Sequence, residues 1–207
     1  MKTKLHSIGA FCISFIIVAS LIMVSCSKED VVAPIPPPDG PSLKAGHITY
    51  TLVKVSNPTA DQADAYVKIT AAMDAAVSMY NGQANLTKAI TVQYVPSVAT
   101  ADGNINGNIR FGSNRSYMTQ CTAMHEIAHT LGVGTSSKWS SLMVNGLWIG
   151  PNALAMIRSM VGESSASVIH GDSQHFWPYG LNYNSEWSTV NGQRNARIVG
   201  AMKADGL

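Results

Sequence analysis

The chain has 207 residues, of which 46% are hydrophobic and only 13% charged, a balance that excludes an intrinsically disordered protein. Its 14 Lys and Arg residues are matched by 12 Asp and Glu residues, so it lacks the surplus of positive charge with which proteins bind nucleic acids or anionic lipid surfaces. The length fits one domain with appendages.

The N-terminal segment has the pattern of a secretory signal. Lys2 and Lys4 precede an uncharged, apolar run over residues 8–24. A permanent membrane anchor is the alternative, but the run is short and contains small and polar residues that weaken a transmembrane helix. We therefore predict a signal peptide over residues 1–25 that directs the chain across the inner membrane.

The end of this run resembles a bacterial lipobox. In Val24-Ser25-Cys26 a small residue precedes a cysteine, which in lipoproteins is acylated and becomes the new N-terminus. Lys28-Glu29-Asp30 follows and resembles the export signal of Gram-negative surface lipoproteins. The resemblance implies that lipid on Cys26 is the only membrane attachment, and that the protein is anchored at the outer membrane or cell surface of a Gram-negative bacterium.

The three cysteines support the same interpretation. Because Cys12 is removed with the signal peptide and Cys26 takes the lipid, Cys121 has no partner for an intrachain disulfide. Residues 26–45 are dense in proline and are predicted to form a stiff tether. The globular domain then spans residues 46–207.

The domain is predicted to begin with the order β-α-β-β-α and to continue into a helical, loop-rich half. Strands are predicted from alternating apolar residues, and helices from apolar residues at helical spacing between capping residues. The predicted strands cover residues 47–55, 90–94 and 108–111, the last at a sheet edge, with a turn at 101–104. The predicted helices cover residues 59–82, 116–131, 151–161 and 193–204, with irregular chain over 163–190. These elements indicate an α+β fold with a small mixed sheet.

The second predicted helix carries the motif His125-Glu126-x-x-His129. Two histidines four residues apart lie one turn above the other, so that both imidazoles reach a single metal ion. Glu126 lies beside them on an otherwise apolar surface, where a carboxylate needs a partner. Two neutral imidazoles that hold Zn²⁺, with a carboxylate that takes a proton from water, form the chemistry of zinc hydrolases.

The motif also occurs by chance, and its histidines are then ordinary surface residues. Here the chain has a predicted signal peptide, and the helix ends at Gly132. Gly132 and Gly134 permit a sharp reversal that returns later residues to the metal. The strand predicted ahead of the helix offers an edge on which an extended peptide can lie. These features favour a zinc site.

The order of elements over residues 46–135, together with His125-Glu126-x-x-His129-x-x-Gly132, resembles the N-terminal half of the zincin metallopeptidases. The Gly132 extension resembles the metzincins. The resemblance implies a zincin-like fold, bound Zn²⁺, His125 and His129 as ligands, and Glu126 as the general base. It departs at Thr135, where the metzincins place a third ligand, so either the site is incomplete or the third ligand comes from elsewhere.

Six residues are candidates for the third ligand: His47, Glu163, His170, Asp172, His175 and Glu186. We place His175 first, because an imidazole matches the first two ligands and its aromatic neighbours Phe176 and Trp177 would help to fix the ring. Asp172 is second. The alternative for His175 is a partly buried histidine in an aromatic cluster.

Four further residues are marked by their type and position. Tyr179 and Tyr183 are candidates to donate a hydrogen bond to an oxyanion, although packing tyrosines with a hydrated tip give the same pattern. Cys121 lies one turn before His125 and Met143 lies further along the chain. We interpret both sulfur residues as core.

Together these features predict a zinc-dependent metallopeptidase that acts on peptide or protein substrates. The alternative is a catalytically inactive zincin-like domain that binds glycan or protein at the cell surface. The intact Glu126 favours the enzyme, whereas Thr135 in place of a ligand favours the binding domain. A structural zinc site is disfavoured because such sites are usually rich in cysteine and closed to water.

Overall fold

The computed structural model describes residues 46–161 and 167–207, and within them it contains five α-helices and eight strands. This composition confirms the predicted α+β class. The predicted signal peptide, Cys26, the proline-rich tether and Glu163 lie outside the described residues. Within the described ranges no helix is both long and apolar enough to cross a bilayer.

The first sheet has four strands in the order β1-β2-β4-β3. They are β1 (His47–Leu52), β2 (Thr87–Tyr94), β3 (Ala101–Gly103) and β4 (Asn108–Phe111). β1, β2 and β4 are parallel and β3 is antiparallel to β4, so the predicted mixed sheet is present. The predicted position of β4 at the edge is wrong, because β3, predicted as a turn, pairs along its free side. Three residues are too few to show the alternation that reveals a strand.

Helix α1 (Ala60–Gln83) covers this sheet with a buried stripe that runs from Ala65 to Tyr80. Its predicted capping box is confirmed, since Thr59 and Gln62 each bond the other's backbone N–H. The helix continues past the predicted stop at Asn81-Gly82. The Asn81 side chain bonds both the N–H and the carbonyl of Ile48 in β1, so it ties the helix to the sheet and does not end it.

Helix α2 (Gln120–Leu131) is the most enclosed element of the domain, with ten of its residues buried. It begins at Gln120, later than predicted, because Thr119 caps it and residues 115–117 form a separate 3₁₀ turn. Gly132 ends it with a φ of 119°, as predicted. The buried Tyr80 hydroxyl donates to the Met124 carbonyl and holds α2 on α1.

The C-terminal half contains α3 (Ser137–Leu142), α4 (Pro151–Val161) and α5 (Thr189–Ala204). It also contains a small antiparallel sheet of two-residue strands, β5 (Met143–Val144), β6 (Leu147–Trp148), β7 (His170–Gly171) and β8 (Phe176–Trp177), in chain order. The helix at 151–161 is as predicted, whereas α5 begins at Thr189 and not at 193 because Ser188 caps it. The stretch predicted to be irregular therefore carries two strands that place a loop beside α2.

Asp205 joins the end of α5 to the start of α4. Its carboxylate accepts from the indole of Trp148 at 3.0 Å and from the backbone N–H groups of Asn152 and Ala153 at 2.7 and 3.0 Å. These N–H groups belong to the first turn of α4, where the helix dipole also favours a negative charge. One carboxylate therefore accepts hydrogen bonds both from the first N–H groups of α4 and from a buried indole.

We predict that Asp205→Ala lowers the free energy of unfolding by about 2–3 kcal/mol, because it removes several hydrogen bonds to a charged group and leaves a buried donor without a partner. Urea denaturation followed by circular dichroism measures this change. Asp74→Ala, which removes an exposed carboxylate, is the control and should change the midpoint less. Equal midpoints for the two variants would contradict the capping role of Asp205.

Candidate metal centre

His125 and His129 stand one turn apart on α2 and turn the same ring nitrogen toward each other. Their Nε2 atoms are 3.1 Å apart. The Nδ1 atom of His125 lies 3.0 Å from the carbonyl oxygen of Gly180, and that of His129 lies 2.8 Å from the carbonyl oxygen of Val133. A carbonyl only accepts, so each neutral ring carries its proton on Nδ1 and presents a lone pair on Nε2.

This pair fits a metal ion. Two facing lone pairs repel each other unless a cation lies between them. In tetrahedral zinc sites with bonds of about 2.0–2.1 Å, two nitrogen ligands are about 3.3–3.4 Å apart, close to the separation seen here. The carbonyls of Gly180 and Val133 fix each ring in the tautomer that a ligand needs.

His175 is the third histidine at this point. It lies in the loop between β7 and β8, and its ring centroid is 5.5 Å from that of His125 and 5.8 Å from that of His129. One ligand atom from each ring lies within 4.8 Å of the others, so the three side chains are close enough to hold a metal ion. The first-placed sequence candidate is thus the residue that the fold brings to the pair.

Gly134 and Trp139 set the position of the loop that carries His175. Gly134 has a φ of 64°, and any side chain there would collide with the backbone of Gln174. The indole of Trp139 donates to the Asp172 carbonyl at 3.0 Å. The reversal predicted after the helix is therefore used to bring two backbones into direct contact.

Asp172 supports His175 and does not itself join the cluster. Its Oδ1 atom accepts from the N–H of His175 at 2.6 Å, and its Oδ2 atom lies 3.4 Å from His175 Nδ1. Partial burial opposes ionisation of Asp172, but the N–H groups of Gln174 and His175 outweigh it and lower its pKa. A carboxylate behind a histidine ligand orients the ring and raises its basicity.

The other sequence candidates lie elsewhere. His170 stacks on Trp177 with centroids 6.2 Å apart. His47 begins β1, which is at the sheet edge opposite to β3. Glu186 accepts from the backbone N–H of Asn182. Within the described residues, these three histidines form the group of side chains that lies close enough together to hold a metal ion.

Glu126 is 5% exposed and borders the same cleft as the histidines. Burial, with a smaller effect of the nearby Asp102, raises the pKa of its carboxyl group to about 8. Burial also lowers the pKa of His125 to about 4 and that of His129 in the same direction, aided in His125 by the neighbouring His129. Both imidazoles are therefore neutral at physiological pH, as metal ligands must be.

The cleft has a volume of about 540 Å³ and is bordered on one side by the edge strand β3. Gly103 lets β3 lie directly on α2, since a Cβ atom there would approach the carbonyl oxygen of Glu126 to 2.5 Å. Polar side chains line much of the rest, among them Asp102, Tyr117 and Gln174. The three imidazoles and Glu126 therefore border a single cleft with room for a further ligand.

Two tyrosines were predicted near the site, and the structure separates them. The Tyr179 hydroxyl accepts from Arg194 at 3.1 Å, and Tyr179 does not border the cleft. Tyr183 does border it and is 71% exposed. Tyr117 also borders the cleft and was not predicted, because it lies in a 3₁₀ turn that has no sequence signature.

The sulfur residues agree with their interpretation as core. Cys121 is buried, and its thiol contacts the carbonyl oxygens of Leu181 and Tyr183 at 3.8 and 3.6 Å. Burial, with a smaller effect of Glu186, raises the pKa of this thiol to about 11, so it stays protonated. Met143 is partly buried against the core.

No family model matches the chain, and neither a curated protein nor a solved structure matches it. The geometry of the cleft is therefore the basis for its functional interpretation.

We predict that His175→Ala weakens Zn²⁺ binding by more than about a hundredfold, because changes to groups that merely support a ligand already cost about 10- to 100-fold. Competition with a chromophoric chelator measures the affinity. His170→Ala and His47→Ala are matched controls and should bind Zn²⁺ as the unchanged protein does. Unchanged affinity in His175→Ala would show that His175 is not a ligand.

Proposed function

We propose that this chain is a zinc metallopeptidase of the zincin type. The observation that carries the proposal is the meeting of three imidazoles and the buried Glu126 at one open cleft. Three histidine nitrogens with room for a further ligand are typical of catalytic zinc, whereas structural zinc is enclosed by four protein ligands. Neutral imidazoles also suit zinc better than calcium or magnesium, which prefer oxygen ligands.

Zinc in this position supplies a Lewis acid that polarises a carbonyl and makes water acidic near neutral pH. Glu126 acts as the general base: it takes a proton from the attacking water and passes it to the leaving amine. Its carboxyl group, whose pKa burial raises, ionises more readily beside a dication. Asp172 keeps the His175 ring oriented throughout.

A peptide is the substrate that the shape of the cleft favours. β3 offers backbone groups along the border of the cleft, and an extended peptide can pair with such an edge. This pairing would bring the peptide bond alongside Glu126, because Gly103 of β3 lies on the backbone of that residue. Tyr183 and Tyr117 border the same space and are the tyrosines that we propose as donors to an oxyanion.

The alternative is a zincin-like domain that binds glycan or protein without hydrolysis. Glu126 is the observation against it, because a buried carboxylate is costly and a binding site has no use for it beside the metal. Thr135 favoured this alternative because it stands where the third metal ligand was expected. That argument no longer applies if His175 is the third ligand. Thr135 instead donates its hydroxyl to the His129 carbonyl at 2.6 Å.

We predict that Glu126→Gln retains Zn²⁺ and the fold but reduces peptide hydrolysis by about 10²- to 10⁴-fold, because it removes the base and leaves every ligand in place. The measurement is digestion of an unbiased peptide library, read by mass spectrometry, with metal content determined on the same samples. His47→Ala, at the far edge of the first sheet, is the control with unchanged hydrolysis. Equal activity of the unchanged protein and Glu126→Gln would reject the peptidase.

We also propose that the domain is held at the bacterial surface by lipid on Cys26, as the lipobox-like motif implies. Intact-mass analysis of the protein extracted from membranes should show a start at Cys26 carrying acyl chains. Changing Lys28, Glu29 and Asp30 together should keep the lipid while reducing access of external protease on whole cells. A mature chain that starts at another residue would contradict this proposal.

A further inference from the structure

A second, smaller cavity of about 360 Å³ adjoins the metal centre. It shares His175, Asn182 and Tyr183 with the main cleft. Its other bordering residues are Asp172, Trp177 and Glu186. A group seated here is therefore next to His175.

The charged side chains that border this cavity are acidic. Asp172 and Glu186 both border it, and among the described residues no lysine or arginine borders either this cavity or the main cleft. The chain as a whole has slightly more basic than acidic residues, so the absence of basic side chains here is local. Two carboxylates without a lysine or arginine beside them attract a positively charged side chain.

Two exposed aromatic rings flank the carboxylates. Trp177 is 44% exposed and Tyr183 is 71% exposed, which is unusual for large rings outside a binding surface. Trp177 is held in place by His170, whose ring is stacked on it with an angle of 9° between the planes. Exposed indole and phenol faces attract ammonium and guanidinium groups.

Asn182 borders both cavities. The Oδ1 atom of Asn182 is buried and has no hydrogen-bond partner among the described residues. Its Nδ2 atom donates to the Phe176 carbonyl at 2.9 Å, which fixes the amide orientation. Asn182 therefore gives the two cavities a fixed common wall.

We propose that this cavity is a subsite for the cationic side chain of an arginine or lysine in the substrate, close to the bond that is cut. The inference rests on the proposed peptidase function and adds the substrate class. Carboxylates and aromatic faces are both partners of a guanidinium, which donates five hydrogen bonds and stacks on rings. A neutral sugar would also stack on Trp177, but it would leave both carboxylates uncompensated.

The test compares peptides that are identical except for arginine or citrulline, which has nearly the same shape without the charge. Both kcat/KM and equilibrium binding to the zinc-loaded full chain are measured. We expect a preference for arginine of about tenfold or more in each, as charged hydrogen bonds and cation–π contacts provide. Higher ionic strength should reduce this preference.

Glu186→Gln is the main variant, because it removes the charge and keeps an oxygen that accepts from Asn182. It should lower the ratio of arginine to citrulline toward one, and so should Trp177→Leu. Asp74→Asn removes one exposed carboxylate from α1 and should keep the ratio of the unchanged protein. Equal ratios in Glu186→Gln and Asp74→Asn would overturn the inference.

The outcomes separate this inference from the peptidase proposal. If peptides are cut without preference for arginine, the subsite is wrong and the peptidase stands. If nothing is cut but arginine peptides still bind more tightly than citrulline peptides, the peptidase is wrong and the cationic subsite stands. Binding of a neutral oligosaccharide that is lost in Trp177→Leu, without an arginine preference, would assign the cavity to sugars and overturn the inference.

Discussion

Two imidazole lone pairs that face each other at 3.1 Å are the constraint on which the cleft depends. Nothing in α2 relieves their repulsion, since each ring already uses its other nitrogen on a carbonyl. The surrounding chain is arranged to supply what a shared cation needs: a third imidazole from the β7–β8 loop, a carboxylate behind it, and a cleft with room for a further ligand. The carbonyl of Gly180 fixes the ring of His125, so the irregular segment after β8 is also part of the site.

The part of the site carried by α2 is readable from sequence because its geometry is local. A helix fixes the relation of His125, Glu126 and His129 once the helix itself is recognised, and Thr119 and Gly132 mark its ends. The position of His175, in contrast, depends on tertiary contacts. Its aromatic neighbours single it out, but the contacts of Gly134 with Gln174 and of Trp139 with Asp172 bring it to α2. The sequence marks Gly134 as a point of reversal but does not show which later residue it contacts.

The length of the elements explains which parts of the fold were predicted correctly and which were not. The strands β1 and β2 and the helix α1 are long enough for their periodicity to show, and all three appear where they were predicted, with shifted ends. β3 and the four strands of the second sheet have two or three residues each, too few for an alternating pattern to show. The pairing of β6 with β7 also joins residues far apart in the chain, Leu147 and His170. Tyr179 was predicted beside the site from sequence proximity, and its side chain turns instead to Arg194 on α5.

The position of His175 in the chain also bears on the stability of the folded protein. Cys121 is a free thiol, so within the described residues there is no disulfide between the half built on the first sheet and the half built on the second. An ion held by α2 and by the β7–β8 loop would act as such a cross-link, closing a long loop between positions 129 and 175. The metal would then stabilise the tertiary structure as well as take part in a reaction, and the described domain would owe part of its resistance to unfolding to the ion it binds.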